Sequence, residues 1–277
     1  MVKIPPIANL QNVTSNFMRQ LLTLIIGLFW TVSSYADCSG NGLYVFPSGQ
    51  TIRQNSIIIL DAYAHSQSII GELNKRHHIY LKSGDKKVRL IVKETCIGQF
   101  DLTQAIMTLE KQLEPGLEYE LFIDSLPKSE SLIRYNDKTK EYEPIKYTVV
   151  AGIDTDKPVL TSTPNEIDKS YALFGCGPAM SVNFNFSVKD SSEVIIKTTV
   201  KCIKSGVETT YYIQAENKQI SVGHGMCSGA FTYDESNDYE IEFSFMDASG
   251  NLTTWTGKRI KFTKPTDELW DAWKKKK

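Results

Sequence analysis

The feature that most constrains the fold is a succession of short β-type runs, separated by turn signals at intervals of roughly 8–12 residues. No segment carries a sustained helical period, although residues 69–73 are long enough for one helical turn. In residues 239–245, aromatic and aliphatic side chains alternate almost cleanly with polar ones. A strand of this kind has one face in a core and the other in water. The pattern predicts an all-β protein of antiparallel sheets.

The predicted strands of the first half are residues 42–46, 55–63, 78–82, 87–95, 104–109, 117–124 and 145–151, with a hairpin tip at 136–138. Those of the second half are residues 159–163, 180–188, 193–204, 208–214, 219–222, 229–233, 239–247 and 253–262. Residues 154–157 are polar, precede a proline and are typical of a linker. Each half has about 110 residues, enough to close a small sandwich with its own core. The sequence therefore predicts two consecutive antiparallel β-sandwiches, residues 37–153 and 158–265, before a short amphipathic basic tail at 266–277.

The first 36 residues have the pattern of a secretory signal peptide. Arg19 precedes an apolar run from Leu21 to Val32, and small residues come before the predicted cleavage point. This run is shorter than the roughly 20 apolar residues that a membrane-spanning helix needs, and no later segment is long enough either. The mature chain is therefore expected to be secreted, periplasmic or associated with the cell surface. A lipoprotein attached through Cys38 is disfavoured, because the residues before it suit lipid attachment poorly.

The charge balance disfavours one class of partner. The chain has 31 basic and 32 acidic residues, for a net charge of -1. Removal of the predicted leader takes away Lys3 and Arg19 and leaves the mature chain slightly more acidic. A net charge near zero gives no long-range steering toward DNA or other polyanions. No nucleic-acid partner is expected.

All five cysteines follow the predicted leader, and in an oxidising compartment disulfides persist. No C-x-x-C pair or zinc-like spacing occurs. Cys202 falls on the more apolar face of its predicted strand and is expected to be a buried thiol. Cys176 and Cys227 lie in glycine-flanked loops, where disulfide geometry is easy to reach. The predicted disulfides are Cys38–Cys96 and Cys176–Cys227, and Cys202–Cys227 is the alternative to the second.

A more specific signal is the sequence LEPGLEY at residues 113–119. A leucine, a Pro115-Gly116 turn and then Tyr119 at the start of a strand form the local pattern of a tyrosine corner. In such a corner the ring packs into the sandwich and the hydroxyl bonds back to upstream backbone. Pro115, Gly116 and Tyr119 are therefore predicted to be fixed parts of the first sandwich.

Two further stretches extend this likeness. Residues 46–59 look like the first strands of bacterial immunoglobulin-like modules, and the turn at 247–251 with Trp255 is similar to their last hairpin. With the tyrosine corner, the mature chain resembles the immunoglobulin-like and fibronectin-type-III-like β-sandwich modules of secreted bacterial proteins. The resemblance implies an architecture and transfers no catalytic residue, because this superfold hosts many unrelated functions.

Catalytic motifs are not found. The sequence contains no G-x-S-x-G elbow, no Walker loop and no H-E-x-x-H, so no catalytic residue, metal ligand or cofactor is predicted. His77 and His78 are adjacent, point to opposite faces of a strand and are expected to be solvated. His224 and Cys227 are spaced by three, which suits copper or zinc. The favoured interpretation places Cys227 in a disulfide and leaves His224 to cap a loop.

The aromatic residues that are candidates for a sugar or peptide platform are Tyr135, Tyr142, Tyr211, Tyr212 and Trp255.

The predicted function is an exported, non-enzymatic binding, adhesion or scaffold protein. Its partner is an unknown protein or glycan at the cell surface or in the envelope. The alternative is a small secreted hydrolase, including a carbohydrate-active one, or a metal-handling protein with a loop-built site. That alternative predicts that His224, or two carboxylates from separate strands, converge in a pocket.

Overall fold

The computed structural model describes residues 42–216 and 218–268 of the chain. Strands make up 58% of it, and a 3-10 turn (Ala64–Ser66) leads into the short helix α1 (Gln67–Gly71). The predicted all-β class is confirmed. The predicted leader, Cys38 and most of the predicted tail lie outside the described residues. Within the described part of the chain, no helix has the length and apolar character needed to cross a bilayer.

We call the sheets and core of the first half the first sandwich, and those of the second half the second sandwich. The strands of the first half are β1 (Gly42–Phe46), β2 (Thr51–Arg53), β3 (Ile58–Tyr63), β4 (Ile79–Ser83), β5 (Lys86–Ile97), β6 (Leu102–Leu109), β7 (Glu118–Ile123), β8 (Ile133–Asn136), β9 (Glu141–Pro144) and β10 (Lys146–Val150). The first sheet has the order β1-β3-β6-β5, and the second sheet has the order β5-β4-β7-β10-β2. Strand β5 belongs to both, because its residues 86–89 pair with β4 and its residues 90–97 pair with β6. Strands β8 and β9 form a separate hairpin. An aliphatic core that includes Leu60, Leu81 and Leu90 fills the space between the two sheets.

The strands of the second sandwich are β11 (Val159–Phe174), β12 (Gly177–Lys189), β13 (Val194–Cys202), β14 (Glu208–Gln214), β15 (Gln219–His224), β16 (Asp238–Asp247), β17 (Leu252–Thr253) and β18 (Ile260–Thr263). The third sheet has the order β11-β12-β15. The fourth sheet has the order β14-β13-β16, and both β17 and β18 pair with β16. Its core is aromatic: Phe184, for example, makes edge contacts with Phe243 and Phe262 at ring distances of 5.2 and 5.7 Å.

Three strand predictions for the second half were inaccurate. Residues 229–233 form no strand, and Gly229 makes only isolated bridges to Phe100 and His224. The predicted strand at 253–262 is divided between β17 and β18. Strand β11 continues beyond the predicted end to Phe174, because the added stretch pairs with β12. The sequence did not reveal it, since this stretch is polar and exposed and has no buried face.

The two sandwiches are stacked face to face and belong to one compact unit. A third apolar cluster lies between the outer faces of the first and fourth sheets. Its members are Phe46, Ile57, Ile59, Cys96 and Ile106 from the first sandwich and Ile195, Tyr212, Met246 and Ala248 from the second. Ile195 is only 1% exposed, although strand alternation puts it on the less apolar face of β13. The order of layers is therefore second, first, fourth and third sheet.

A buried side-chain amide joins the two inner sheets. Gln104 of β6 is 0% exposed. Its Oε1 accepts a 2.7 Å bond from the Tyr212 backbone nitrogen, and its Nε2 donates to the Tyr212 carbonyl at 2.9 Å. Tyr212 lies on β14, the edge strand of the fourth sheet. The amide thus pairs with that edge as a further strand would and covers backbone groups that an open edge would expose.

Two acidic side chains add polar bonds across the same interface. The Glu193 carboxylate accepts bonds from the Ser48 backbone nitrogen at 2.8 Å, the Ser48 hydroxyl at 2.7 Å and the Gly49 nitrogen. Glu94 accepts a 2.8 Å bond from Lys197 and a 3.0 Å bond from the Tyr212 hydroxyl. Burial alone would raise the pKa of Glu94, but the hydrogen bond and charge of Lys197 bring it below its ordinary value.

Two tyrosines, one in each sandwich, bond back to upstream backbone. Tyr119 is 1% exposed, and its hydroxyl accepts a 3.4 Å bond from the Glu114 nitrogen. Gly116 has a φ of +80°, which suits glycine at this turn, and Pro115 beside it is exposed. Tyr239 opens β16 with the same five-residue spacing: its hydroxyl accepts from the Asp234 nitrogen at 3.1 Å and donates to the Asp234 carboxylate at 2.6 Å. Sequence reasoning missed this second corner.

The first prediction concerns these hydroxyls. Tyr119→Phe should lower the free energy of unfolding by roughly 1 kcal/mol, and Tyr239→Phe by more, since its hydroxyl also bonds to a charged group. Urea unfolding measures both. Tyr135→Phe, at an exposed tyrosine of β8, is the control and should stay within about 0.5 kcal/mol of the wild type. Equal stability of all three variants would exclude a structural role for the two hydroxyls.

Neither predicted disulfide is present among the described residues. Cys96 lies in the apolar layer between the sandwiches, and its thiol donates to Glu94 Oε1 at 3.6 Å. The Cys38–Cys96 prediction is therefore wrong at Cys96. Cys176 lies exposed at the turn between β11 and β12 and does not form the predicted disulfide with Cys227. Cys227, in the loop after β15, is itself disulfide-bonded. Cys202 is buried and outside any disulfide, as its strand phase predicts.

The second prediction follows from the burial of two thiols. Burial raises the pKa of Cys96 to about 12, and Cys202 is only 6% exposed. Because the thiolate is the reactive form, both should resist alkylation by iodoacetamide in the native protein and react in denaturant. Mass spectrometry of peptides after alkylation with and without guanidinium measures each site. Native labelling of Cys96 as fast as that of glutathione would contradict the closed interface.

Candidate ligand groove between the sandwiches

Above the apolar interface, the same face of the first sheet opens into a groove of about 880 Å³. Within the interface this face carries Ile59, which pairs with Phe46 and Ile106. Two residues further along β3, the face carries Asp61, which pairs with Tyr44 of β1 and with Gln104. Directly paired residues share a face of a sheet, so Tyr44 and Asp61 both point into the groove. The face changes from apolar to polar where its direct contact with the second sandwich ends and the groove begins.

Two tyrosines flank the acid in the groove wall. Tyr44 is 59% exposed, and its ring makes an edge contact with the Tyr63 ring at 5.6 Å. Both rings are held on paired strands, since β1 and β3 are adjacent in the first sheet. An exposed aromatic ring on a rigid strand contributes little to the core, and it offers a fixed apolar surface to a ligand.

Asp61 is the titratable group at the base of this wall. Its Oδ1 accepts a 2.9 Å bond from Gln104 Nε2, the same nitrogen that bonds to the Tyr212 carbonyl. Burial raises the pKa of the Asp61 carboxyl to about 7, and the hydrogen bond from Gln104 opposes only part of that rise. Burial and the charge of Asp61 also raise the pKa of Tyr63. The carboxyl can therefore both donate and accept hydrogen bonds near neutral pH.

The opposite wall comes from the second sandwich and is mostly polar. Its lining side chains include Ser181, Gln214, Glu216, Ser221 and His224. The His224 Nδ1 lies 2.7 Å from the Gly225 carbonyl, and its ring makes an edge contact with Phe100 at 5.2 Å. His224 thus ends β15 beside the groove, with one nitrogen engaged by its own loop. The groove combines aromatic rings, carboxyl groups, an amide and hydroxyls.

The aromatic platforms expected from the sequence lie elsewhere. Tyr211 and Tyr212 are 0% and 4% exposed, because Tyr211 belongs to the core of the second sandwich and Tyr212 to the interface. Tyr135 and Tyr142 form an exposed edge-to-face pair across the β8–β9 hairpin. The Trp255 indole nitrogen donates to the Lys258 carbonyl at 3.3 Å in the loop between β17 and β18.

The adjacent histidines differ in burial. His77 is only 7% exposed, with its Nδ1 3.1 Å from the Asp124 carbonyl, so the expectation that it is solvated was wrong. The loop around it folds back on the sheet, which sequence alternation does not reveal. His78 is exposed, and its Nδ1 lies 3.4 Å from Arg89 Nη2.

A group of three carboxylates lies at the junction of the sandwiches. One oxygen each from Asp154, Asp190 and Asp247 lies within 4.8 Å of the others. Burial raises the pKa of Asp247, although bonds from Asn251 and Ser249 oppose the rise. Its Oδ1 accepts both backbone nitrogens at 2.8 Å and organises the turn after β16. Carboxylate oxygens are the ligand type that Ca²⁺ prefers, so among the described residues these three could hold a cation.

Sequence reasoning missed the groove residues Tyr44, Asp61 and Tyr63. The one signal was Asp61 itself, a carboxylate inside the apolar run IILDAY of β3. Its neighbours on the sheet come from β1 and β6, and that pairing is set by topology rather than by local sequence. The groove also needs a second wall, which comes from residues more than 100 positions away.

No family model matches the chain, and no curated protein matches it. Among solved structures, it is similar to a pullulanase from Anoxybacillus sp. LM18-11 complexed with maltotriose, with 11% identity and a TM-score of 0.22 over 74% of this chain and 24% of that one. It is also similar to pullulanase type I from Bacillus subtilis strain 168 complexed with maltose, with 12% identity and a TM-score of 0.24 over 80% of this chain and 24% of that one. The chain thus spans about a quarter of the length of these proteins. The low scores assign it neither a family nor an activity.

The third prediction is a pH dependence of stability that Asp61 causes. Its pKa is about 7 in the folded protein against 3.8 ordinarily, so the folded state holds this proton more tightly. Stability from this group is full below pH 4 and is lost as the pH rises to 7. The whole shift corresponds to about 4 kcal/mol, and water at the groove mouth should reduce it to about 2–3 kcal/mol.

Asp61→Asn tests this, because it keeps an oxygen that can accept from Gln104 and carries no charge. Urea unfolding should show the variant equal to the wild type at pH 4 and more stable at pH 8. The raised pKa values of Tyr63 and Cys96 lie above this window, the pKa of Glu94 is lowered, and all other groups are common to both proteins, so the difference isolates Asp61. A difference that does not change between pH 4 and pH 8 would disprove the raised pKa.

Proposed function

We propose that the protein is an exported, non-enzymatic binding protein of two immunoglobulin-like sandwiches, which binds a neutral carbohydrate in the groove between them. Three features support the modules: sheets of three and four or more strands packed in pairs, mainly antiparallel pairing, and a tyrosine that bonds upstream in each half. The leader pattern of residues 1–36 supports export. The boundaries proposed for the modules are 37–153 and 158–265, with a linker at 154–157.

The observation that carries the ligand proposal is the row of Tyr44, Asp61 and Tyr63 in the groove wall. A pyranose ring presents apolar C–H faces and equatorial hydroxyls. An exposed tyrosine ring packs against the first, and a carboxyl or amide group bonds to the second. Gln214 and two serines on the opposite wall supply more hydroxyl partners.

The charge of the groove favours a neutral sugar. Asp61 and Glu216 are both acids, and His224 is the one histidine among the lining residues that the structure describes. An acidic ligand would meet these carboxylates without a lysine or arginine in the described lining to offset them. A neutral oligosaccharide instead uses their oxygens as hydrogen-bond acceptors.

A second candidate function is hydrolysis of a glycosidic bond. It is favoured by the convergence of Asp61, Glu216 and His224 on one groove, which the hydrolase alternative predicts. A carboxyl with a pKa near 7 suits a general acid at neutral pH. Glycoside hydrolysis requires a second carboxylate on the other side of the scissile bond, and Glu216 of the opposite wall is the candidate.

The fourth prediction tests binding. Wild-type protein should bind one class within a panel of neutral gluco-, galacto- and chito-oligosaccharides, measured on an array and then by calorimetry. Tyr44→Ala should weaken that binding about tenfold or more, because an exposed aromatic anchor is removed. Tyr135→Ala removes a similarly exposed tyrosine from the β8–β9 hairpin and should leave the affinity unchanged.

Two outcomes would count against the proposal. If no neutral oligosaccharide binds, or if Tyr44→Ala binds as tightly as the wild type, the groove is not the carbohydrate site. Release of reducing ends by the wild type but not by Asp61→Asn would establish the hydrolase instead.

A further inference from the structure

The charge of the chain is unevenly distributed. Residues 74–93 contain seven lysines and arginines and a single acid, Asp85, whereas the whole chain has a net charge of -1. This segment covers β4, the first part of β5 and the turn before them. It belongs to the second sheet, on the side of the first sandwich away from the groove.

Strand register gathers part of this charge on one face. In the pairing of β4 with β5, Lys82 lies opposite Lys87 and Tyr80 lies opposite Arg89. Strand β7 adds Phe122, which pairs with Tyr80. The alternate residues, such as Leu81, Val88 and Leu90, fill the core of the first sandwich, so the five side chains between them point outward. We call Tyr80, Lys82, Lys87, Arg89 and Phe122 the cationic face.

These cations are not neutralised by ion pairs. Among the described residues, no carboxylate lies within ion-pair distance of Lys82, Lys87 or Arg89. Glu120 is the acid on the same row, opposite Lys82 in β7. Asp124 accepts a 2.5 Å bond from the Tyr80 hydroxyl. Lys82 and Lys87 are exposed, so their charges face solvent.

A rigid aromatic surface lies beside the cations. The Phe122 ring is 40% exposed and stacks on the Tyr80 ring at 5.3 Å with an interplanar angle of 26°. Lys87 Nζ lies 4.5 Å from the centre of the Tyr80 ring, on which it is also held by a 3.3 Å bond to the hydroxyl. Arg89 Nη2 donates to the Asn74 carbonyl at 3.4 Å, which fixes the guanidinium at the edge of the pair.

Arg89 also has an unsatisfied donor: its Nε is buried and has no hydrogen-bond partner. Phe122 also lines a shallow hollow of about 380 Å³, together with Glu120, Ser125 and mostly apolar residues that include Leu126, Leu132 and Pro144. One exposed ring therefore borders both a row of cations and a mostly apolar depression. That combination suits a ligand with both a fixed negative charge and a flat apolar face.

We propose that the cationic face binds an acidic polysaccharide, a polymer of carboxylated or sulfated sugars. The lysines and Arg89 would form charge-assisted hydrogen bonds with the acid groups, and Phe122 would pack against the C–H face of a sugar ring. This ligand differs in charge from the neutral sugar proposed for the groove, and it meets a different sheet. The protein would thus attach to an anionic polymer through one face while the groove stays open.

Two other polyanions fit the face less well. A nucleic-acid duplex presents closely spaced phosphates and is bound by more extended basic surfaces than three cations on a slightly acidic protein. A bilayer surface is bound through several apolar side chains that insert together, and this face exposes a single ring.

The fifth prediction uses heparin and polygalacturonate as probes and dextran as the neutral control polymer, with the full-length protein at 50 and 300 mM NaCl. Wild-type protein should bind one or both acidic polymers and not dextran. The triple variant Lys82→Gln, Lys87→Gln and Arg89→Gln should bind at least tenfold more weakly and with a smaller salt dependence. Phe122→Ala should weaken binding severalfold and keep the salt dependence of the wild type.

The matched control is the triple variant Lys157→Gln, Lys204→Gln and Lys258→Gln. It removes the same charge at three exposed lysines outside the first sandwich and should bind as the wild type does. Equal weakening in both triple variants would show non-specific attraction and overturn the proposal. So would failure of both acidic polymers to bind, or tighter binding to phosphatidylserine vesicles.

Two further measurements keep the interpretation unambiguous. Urea unfolding of each variant shows whether it is folded, and the double variant Lys82→Gln, Lys87→Gln replaces the triple one if loss of Arg89 destabilises the sheet. Tyr44→Ala should bind the acidic polymers normally. If instead it loses them, the polymer occupies the groove and the cationic face is not the site.

Discussion

The bonds between the Gln104 amide and the Tyr212 backbone are the contact on which the arrangement of the two sandwiches depends. The amide is fully buried and offers one donor and one acceptor to an edge strand of the other module. Removal of it would leave two buried backbone groups unpaired, at a cost of about 1–3 kcal/mol each. Burial of apolar residues such as Ile59 and Ile195 stabilises the contact but does not by itself fix the orientation of the two sheets, since the hydrophobic effect has no direction. The amide, together with the bonds of Glu193 and Glu94, supplies the direction and sets how the sheets align.

That alignment also creates the groove. The outer face of the first sheet passes from Ile59 under the second sandwich, through Gln104, to Asp61 and Tyr44 in the groove. Gln104 Nε2 bonds to both the Tyr212 carbonyl and the Asp61 carboxylate, so the interface and the groove share one nitrogen. The second sandwich forms the wall that faces Asp61. Burial at this site raises the pKa of that carboxyl.

Alternation along strands predicted the inside of each sandwich but not the contact between them. It placed Cys202 and the aromatic residues of β16 in a core, where the structure has them. It did not show that Ile195, Tyr212 and Cys96 would also be buried, because a period of two says which residues share a face and not what covers that face. Tyr212 pairs with Gln104 across 108 positions in the chain, and no local pattern encodes such a meeting. The same limit applies to Cys96: its strand pattern did not show that the second module would cover the thiol, which is not in the predicted disulfide.

The net charge of the whole chain also failed to predict the cationic face, because it sums charges over faces that are too far apart to interact. The first sandwich has an acidic, aromatic outer face on one sheet and a cationic outer face on the other, with an aliphatic core between them. The core separates the two faces, and salt in solution screens charges more than about 10 Å apart. Each face therefore acts on its own ligand, despite a total charge near zero. Since Asp61 and Lys82 project from opposite sheets, a polymer held by the cations would not cover the groove, and the second sandwich stays free to form its other wall.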